Sequence, residues 1–263
     1  MSPINRLTCA LFSLTLASVF AGCAPGPAAA DRESDAERPK LGLMTSLPLY
    51  WPLGAGVSDI AGGELEKPWQ RRALEERYQL VPLDTLTPIP ALSPDDPETD
   101  PLAGLDRVAI IQPRGLSPAD NVALDNWVRA GGQLLIALDP MLTGEYELPI
   151  GDPRRPIDTA LIPPVVERWG LAVSYNPEQG SEVTYAELPG GPLPLVQAGE
   201  GKVVAVVGEE NSCITHESKS LARCDAIGEG TVTAVYDAAA FEHVGPVGED
   251  HSAINALLDY AFQ

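Results

Sequence analysis

The residues of this chain able to bind a ligand or move a proton gather where apolar runs end. Ser46 and Tyr50-Trp51 close the run that starts at Leu41, Gln112 to Arg114 follow Val108 to Ile111, Asp139 follows Leu134 to Leu138, and Asp237 follows Thr231 to Tyr236. If those runs are parallel strands, their carboxyl ends are where an open sheet binds ligands. Asp139 and Asp237 could then face one crevice, as hydrogen-bond acceptors or as a carboxylate pair. The plainer alternative is that each caps a turn, since an Asp ahead of Pro140 or Ala238 commonly bonds the backbone two residues on. Tyr50 and Trp51, in the segment LPLYWPLGAG, offer aromatic faces to a sugar or peptide, or else plug the edge of the core.

Nucleophilic chemistry has less to work with. A thiolate nucleophile needs a sharp strand-to-helix turn and a neighbouring His, and a serine hydrolase of the α/β type needs a Gly-x-Ser-x-Gly elbow. No strand end carries either, and His216, His243 and His251 all lie in polar C-terminal segments. A Ser46, His and Asp139 hydrolase can be drawn only by assuming that distant segments meet. Gly54-Ala55-Gly56 and Gly62-Gly63 lack the Lys and the helix of a phosphate-binding loop, so no nucleotide is expected. The acidic stretch Ser93 to Asp100 lacks the ordered spacing and the Gly of a calcium loop. Cys213-x-x-His216 with Cys224 has ligand-like spacing but no evident fourth partner. In an oxidising compartment the two cysteines are expected to form a disulfide instead. Neither a metal nor a cofactor is expected.

The elements that must position these groups are best marked between Asp106 and Pro140. Val108 to Ile111 and Leu134 to Leu138 are uninterrupted apolar runs, as in strands covered on both faces. Between them Ser117 is placed to cap a helix, Pro118 sits at its first position and Asp120 adds negative charge to the first turn. Ala119, Ala123, Leu124, Trp127 and Val128 fall on one side, Asn121, Asp125, Asn126 and Arg129 on the other, and Gly131-Gly132 ends the helix. Two buried strands joined by such a helix pair in parallel with a right-handed crossover, which makes the core α/β.

Around this unit the sequence predicts strands at Leu41 to Leu47, Gln79 to Leu83, Leu171 to Tyr175, Lys202 to Val207 and Thr231 to Tyr236. Helices are predicted over Trp69 to Tyr78, over part of Ile157 to Trp169, where Pro163-Pro164 must interrupt, and over Ser252 to Phe262. Glu182 to Gln197 reads as turns and short strands, and NSCITHESKSLARC as a polar segment outside any periodic element.

The Pro-x-Gly-Leu-Ser turn, the helix ending in Trp-Val-Arg-Ala-Gly-Gly and the strand closing in Leu-Asp-Pro resemble the GldG-type auxiliary domain of gliding-motility ABC transporters. Related uncharacterised bacterial lipoprotein domains have a glutamine-amidotransferase-like fold. Gly228 to Phe241 and the C-terminal helix are similar to the way those domains close. The resemblance runs in order from Leu41 to Gln263 and is sharp in those two segments. It implies a flavodoxin-like (class I glutamine-amidotransferase-like), mainly parallel sheet with helices on both faces that has lost amidotransferase chemistry. It further implies a non-catalytic envelope lipoprotein domain, not an enzyme, that binds a partner protein or glycan as an accessory to an ABC-type export or gliding-like system. A periplasmic hydrolase of a peptide, amide or sugar derivative is the alternative.

Arg6 followed by an apolar stretch from Leu7 to Ala21 and by Gly22-Cys23 reads as a secretion signal over residues 1–22, with Cys23 the residue to be lipidated. The stretch is short of the ~20 residues a membrane span needs. Residues 23–40, rich in Pro, Ala and mixed charge, are expected to be a disordered tether, and 41–263 a single α/β domain. The expected place is the periplasmic side of the cell envelope, anchored through lipid on Cys23 to the outer membrane rather than the inner. With 17 basic against 37 acidic residues and a net charge of −20, the field repels nucleic acid and anionic head groups alike.

Overall fold

The computed structural model describes residues 38–63, 65–93, 96–206, 212–242 and 251–263. The secretion signal, Cys23, most of the tether, His243 and part of the acidic stretch lie outside them. Apolar runs build the centre of a seven-stranded sheet in the order β2-β1-β3-β4-β11-β10-β9. Its strands are β1 (Lys40–Thr45), β2 (Gln79–Pro82), β3 (Arg107–Ile111), β4 (Gln133–Ala137), β9 (Cys213–Thr215), β10 (Leu221–Ile227) and β11 (Gly230–Val235). From β2 to β11 all neighbours are parallel, with β11 directly beside β4, Thr231 opposite Gln133 and Val235 opposite Ala137.

Both faces of the central strands are buried, which is why they read as unbroken apolar runs rather than as alternating ones. Leu41, Leu43, Ala109, Ile111, Leu135, Ala137 and Val235 point to one side. Val108, Ile110, Leu134, Ile136, Val232 and Ala234 point to the other. The first face is covered by α2 (Trp69–Glu75), by α6 (Ser252–Ala261) through Ile254, Leu257, Leu258 and Ala261, and by the hairpin β6 (Thr184–Leu188) with β7 (Gly191–Leu195). The second is covered by α3 (Pro118–Arg129), by α4 (Pro164–Arg168) and by Trp169 and Leu171, the latter in β5 (Leu171–Ser174), which pairs with β8 (Glu200–Val203). Two short helices, α1 (Val57–Gly62) and the one-turn α5 (Ala239–Glu242), complete the described elements.

The expectation of a flavodoxin-like, mainly parallel sheet with helices on both faces is corrected by this topology. The sheet is mixed: β10 runs antiparallel to β11 and to β9. A tight turn at Gly228 (φ 63) feeds β11 straight from β10, so no crossover helix intervenes and the pair cannot be parallel. Helices also share the covering of each face with two-stranded ribbons. The hairpin lies close on α6, where a Cβ on Gly190 would come within 2.9 Å of the Ala256 Cα.

Three local expectations change with it. The polar segment around Cys213 and Cys224 forms β9 and β10, at a sheet edge where one-sided exposure tolerates polar residues. Over the described residues 202–206 there is no buried core strand: β8 stops at Val203, is partly exposed, and belongs to the ribbon with β5, while Val207 lies outside the described residues. Asp125 is buried rather than facing solvent, because α4 packs over it and Trp169 Nε1 donates to its Oδ1 at 2.9 Å.

The helix α3 starts as its sequence dictates. The Ser117 hydroxyl accepts from the Asp120 amide at 3.1 Å while Asp120 Oδ2 accepts from the Ser117 amide at 3.1 Å, a reciprocal cap. Past its end Gly131 turns at φ 111, and Gly132 must lack a Cβ because the Trp127 ring would sit 2.5 Å from it.

Candidate functional site

The carboxyl ends of β1, β3, β4 and β11 bring Ser46, Gln112, Asp139 and Asp237 into one row, in the order of the strands. All four are buried, Asp139 to 0 % and Asp237 to 2 % exposure. Gln112 ties the row together. Its backbone takes a left-handed φ of 44, sparsely populated for a residue with a Cβ. Its Nε2 donates to the carbonyls of Asp139 (3.1 Å) and Ile157 (2.9 Å), and its Oε1 accepts from the Asp139 amide at 2.9 Å. The Ser46 hydroxyl donates to the Gln112 carbonyl at 2.5 Å and accepts from the Ile157 amide at 3.3 Å. Among the described residues no His stands beside Ser46, whose hydroxyl is committed to those partners, and neither His216 nor His251 completes a Ser46, His and Asp139 triad. His216 bonds Ser218 and the Glu187 carbonyl, and His251 bonds Glu76.

Each oxygen of the two aspartates accepts from a backbone amide. Asp139 takes Met141 (2.8 Å) and Ala238 (3.0 Å); Asp237 takes Ala239 (2.5 Å) and Val196 (2.7 Å). Asp139 thereby joins the end of β4 to the segment after β11, and Asp237 joins that segment to the end of the hairpin. Burial pushes the Asp139 carboxyl up to about 7, against the lowering effect of its amide bonds, with the charge of Glu242 adding to the rise. Burial pushes Asp237 further, to about 8, and the neighbouring charge of Asp139 is the next cause.

A third carboxyl group that the strand-end rule did not single out completes the cluster. Glu242, in α5, accepts from the Gly144 amide (2.9 Å), the Thr143 amide (3.1 Å) and the Tyr146 hydroxyl (2.6 Å). The phenol of Tyr146 is raised by burial and by that hydrogen bond. No periodic signal in the sequence marks Glu242: the short α5 carries its carboxyl group from the strand end at Asp237 to the loop after Asp139. A cleft of about 390 Å³ opens beside the cluster, lined by Leu142, Thr143, Ser181, Val183, Val196 and Gln197. Two of its walls touch the acids directly, Val196 through Asp237 and Thr143 through Glu242. Gln197 holds a left-handed φ of 53 in that wall.

Tyr50 and Trp51 lie apart from this row. The Tyr50 hydroxyl donates to the Leu43 carbonyl at 3.2 Å, its phenol raised by burial, and the Arg71 guanidinium stands 4.7 Å from the centre of the Trp51 ring. Trp51 is 38 % exposed with one face already covered by that cation. Cys213 and Cys224, opposite each other on β9 and β10, form a disulfide. Among the described residues no cluster of His, Cys, Asp and Glu is arranged to hold a metal ion.

No protein-family model and no curated protein matches the chain. Solved structures similar to it include several glycosidases. An exo-β-1,4-mannosidase from Opitutaceae bacterium strain TAV5 is 15 % identical with a TM-score of 0.47, the likeness covering 89 % of this chain and 37 % of that one. A cold-adapted β-galactosidase from Rahnella sp. R3 is 11 % identical with a TM-score of 0.44, covering 85 % and 31 %. A β-galactosidase from Bacillus circulans sp. alkalophilus is 10 % identical with a TM-score of 0.43, covering 84 % and 31 %. The chain thus spans about a third of the length of these enzymes.

These findings correct the expectations drawn from the GldG-type resemblance. Five of the similar structures are an exo-β-1,4-mannosidase and β-galactosidases, and none of the five is an ABC-transporter auxiliary domain or a glutamine-amidotransferase-like protein. The non-catalytic envelope role, the accessory role in export or gliding and the reading as a non-enzyme are set aside with it. So is the expected partnership with an envelope or ABC-transporter protein and with a membrane through lipid on Cys23. Among the described residues no helix is long and apolar enough to cross a membrane. At TM-scores below 0.5 the likeness carries nothing beyond this correction, and what the chain does has to be argued from its own residues.

Proposed function

We propose that the chain is a hydrolase of a sugar derivative, working at the carboxyl edge of the sheet with Asp237 and Glu242 as its proton-transfer groups. The observation that carries this reading is the convergence of Asp139, Asp237 and Glu242 beside one cleft, with the two aspartates biased toward their protonated forms near neutral pH. Hydrolysis of a glycosidic bond needs one carboxyl group that gives a proton and a second that takes one. Burial that raises Asp237 suits it to the first of these roles. Among the described residues the cluster holds no nucleophilic thiol and no serine beside a His, which suits this reaction better than amide hydrolysis.

In the step proposed, the bond between the anomeric carbon and the leaving oxygen breaks as Asp237 passes its proton to that oxygen. Water adds to the anomeric carbon and gives its proton to Glu242, whose acceptance of two amides and a phenol suits a carboxylate. Asp237 is reached when the Val196 amide swings off its Oδ2, a movement for which the strained Gln197 next to it is the hinge. Asp139, wholly enclosed, is a positioning residue that keeps its partner's proton in place. Ser46 and Gln112 are proposed to brace it, Tyr50 and Trp51 to serve the edge of the core. The apolar stretch Leu7 to Ala21 and the disulfide support an oxidising compartment outside the cytoplasm as the place of action.

The test is turnover of a panel of α- and β-linked nitrophenyl glycosides by the disulfide-intact chain. Glu242→Gln and Asp237→Asn are expected to lower kcat by about 10²-fold or more while circular dichroism stays that of the parent. Absence of turnover on every glycoside, or full activity in both variants, overturns the reading.

A further inference from the structure

The strand that borders the acidic cleft leaves it along an exposed face with aromatic character. Along β6 and the residue before it, Ala186 (1 % exposed) and Leu188 (7 %) turn into the core, so the alternate positions Val183, Tyr185 and Glu187 turn outward. Val183 lines the acidic cleft and is 52 % exposed. Two residues on, Tyr185 is 51 % exposed and lines a second groove of about 530 Å³, together with Glu187, Ile214, His216, Ser218 and Tyr260. Strand geometry sets the outward side chains roughly 7 Å apart, so Val183 to Glu187 is a track of about 13 Å that begins at one cleft and ends in the other.

The groove is built rather than incidental. His216 pins its floor, one ring nitrogen 3.2 Å from the Glu187 carbonyl on the hairpin and the other 3.1 Å from the Ser218 hydroxyl at the β9–β10 turn. Ile214, 61 % exposed on the edge strand, stands with Tyr185 as a pair of large apolar groups left in water, while Glu187 and Glu217 are without ion-pair partners among the described residues. An aromatic face ringed by hydroxyl, imidazole and carboxylate groups matches the two sides of a sugar ring, whose C–H faces are apolar and whose edge carries hydroxyls.

We infer that the outward face of the β6–β7 hairpin is an extended subsite for a neutral oligosaccharide chain, running from the acidic cleft to a platform at Tyr185. This rests on the proposed glycosidase reading and adds to it that the substrate is a chain of several sugars. Binding away from the reacting bond can be converted into rate at it.

The test compares a nitrophenyl monosaccharide with a nitrophenyl oligosaccharide of four or more units having the same sugar at the cleaved bond. Tyr185→Ala, at an exposed position, is expected to lower kcat/KM on the oligosaccharide by 10-fold or more and to leave the monosaccharide rate within a factor of two. Equal effects on both substrates, or no effect on either, overturn the subsite while leaving the hydrolase reading standing. If no glycoside is turned over, that reading fails, and affinity electrophoresis of the parent and Tyr185→Ala in gels containing neutral polysaccharides still decides the subsite. Retardation that Tyr185→Ala abolishes supports it, and free migration of the parent in every gel overturns it.

Discussion

Gln112 uses every hydrogen-bonding group of its amide on the ends of two other segments, and it does so from a backbone conformation that an Ala or Leu would adopt only at a cost of about 1 kcal/mol or more. Such a residue marks the carboxyl edge as the place where this fold trades local ease for geometry. The aspartates beside it do the same through their protons. Asp139 and Asp237 stand at about 7 and about 8, above their ordinary value of 3.8. The folded state therefore holds their protons more tightly than the unfolded chain, and the stability they contribute is full below 3.8 and lost as pH rises through those values. Asp120 acts in the opposite sense. Burial alone would raise it, but hydrogen bonds from Ser117, Leu86 and Thr85 hold it at about 2, so its contribution is present above 3.8 and lost as pH falls toward 2. Unfolding midpoints measured across the range are expected to peak at about pH 4 to 5 and to decline to about pH 8, with Asp237→Asn flattening the decline. A midpoint that is level or rising from pH 5 to 8 contradicts the assignment. Ser46, Gln112, Asp139 and Asp237 were legible in the sequence because strand ends in a parallel sheet converge. Glu242 and Tyr146 were not, because a one-turn helix and an irregular loop carry no periodicity that would show them returning to the same place.

At the scale of elements, the strand–helix–strand unit from β3 to β4 was readable because each boundary has a local cause: the Ser117 cap, the proline after it, and Gly131 beyond the last turn. The antiparallel edge was not. In β10, Arg223 and Asp225 turn outward and pair at 2.6 Å while Ala222 and Cys224 are buried, so the segment looks polar although it is half core. The β6–β7 hairpin was legible as turns and short strands over Glu182 to Gln197, but not its pairing or its packing on α6: with one face on α6 and one in water, Pro192 and Pro194 dilute its apolar signal. What keeps the short β9 on the sheet is the bond between Cys213 and Cys224, which closes a loop of sequence separation 11. Chain-entropy arguments put such a closure at about 3 kcal/mol, acting through the unfolded state. Replacing both cysteines with Ala is expected to lower the unfolding free energy by about 2 to 4 kcal/mol, read from urea midpoints, and to raise hydrogen exchange of the Ile214 and Thr215 amides ahead of the central strands. Exchange that rises equally in β4 and β9 shows instead that the edge does not open by itself.

The whole molecule adds a term that no single element contains. Its 37 acidic residues outnumber 17 basic ones, and much of the basic set is already committed: Lys67, Arg71, Arg77, Arg129, Arg154, Arg155, Arg168 and Arg223 all sit in ion pairs with Asp or Glu. The acidic cleft and the Tyr185 groove therefore look out on a negative field with few cations to offset it. A neutral sugar chain crosses that field without penalty, whereas a uronate or sulfated sugar is repelled on approach. The Debye length falls from ~30 Å at 0.01 M salt to ~8 Å at 0.15 M, which removes most of a long-range repulsion and little of a contact one. The expected result is a kcat/KM for a nitrophenyl uronide that starts well below that of the matching hexoside and climbs several-fold over that salt range, while the hexoside value stays level. The climb belongs to the field if KM and the association rate carry it and kcat does not move. A uronide preferred at low salt would mean that the cleft holds a cationic environment the charge distribution does not reveal, and the choice of a neutral substrate would fall with it.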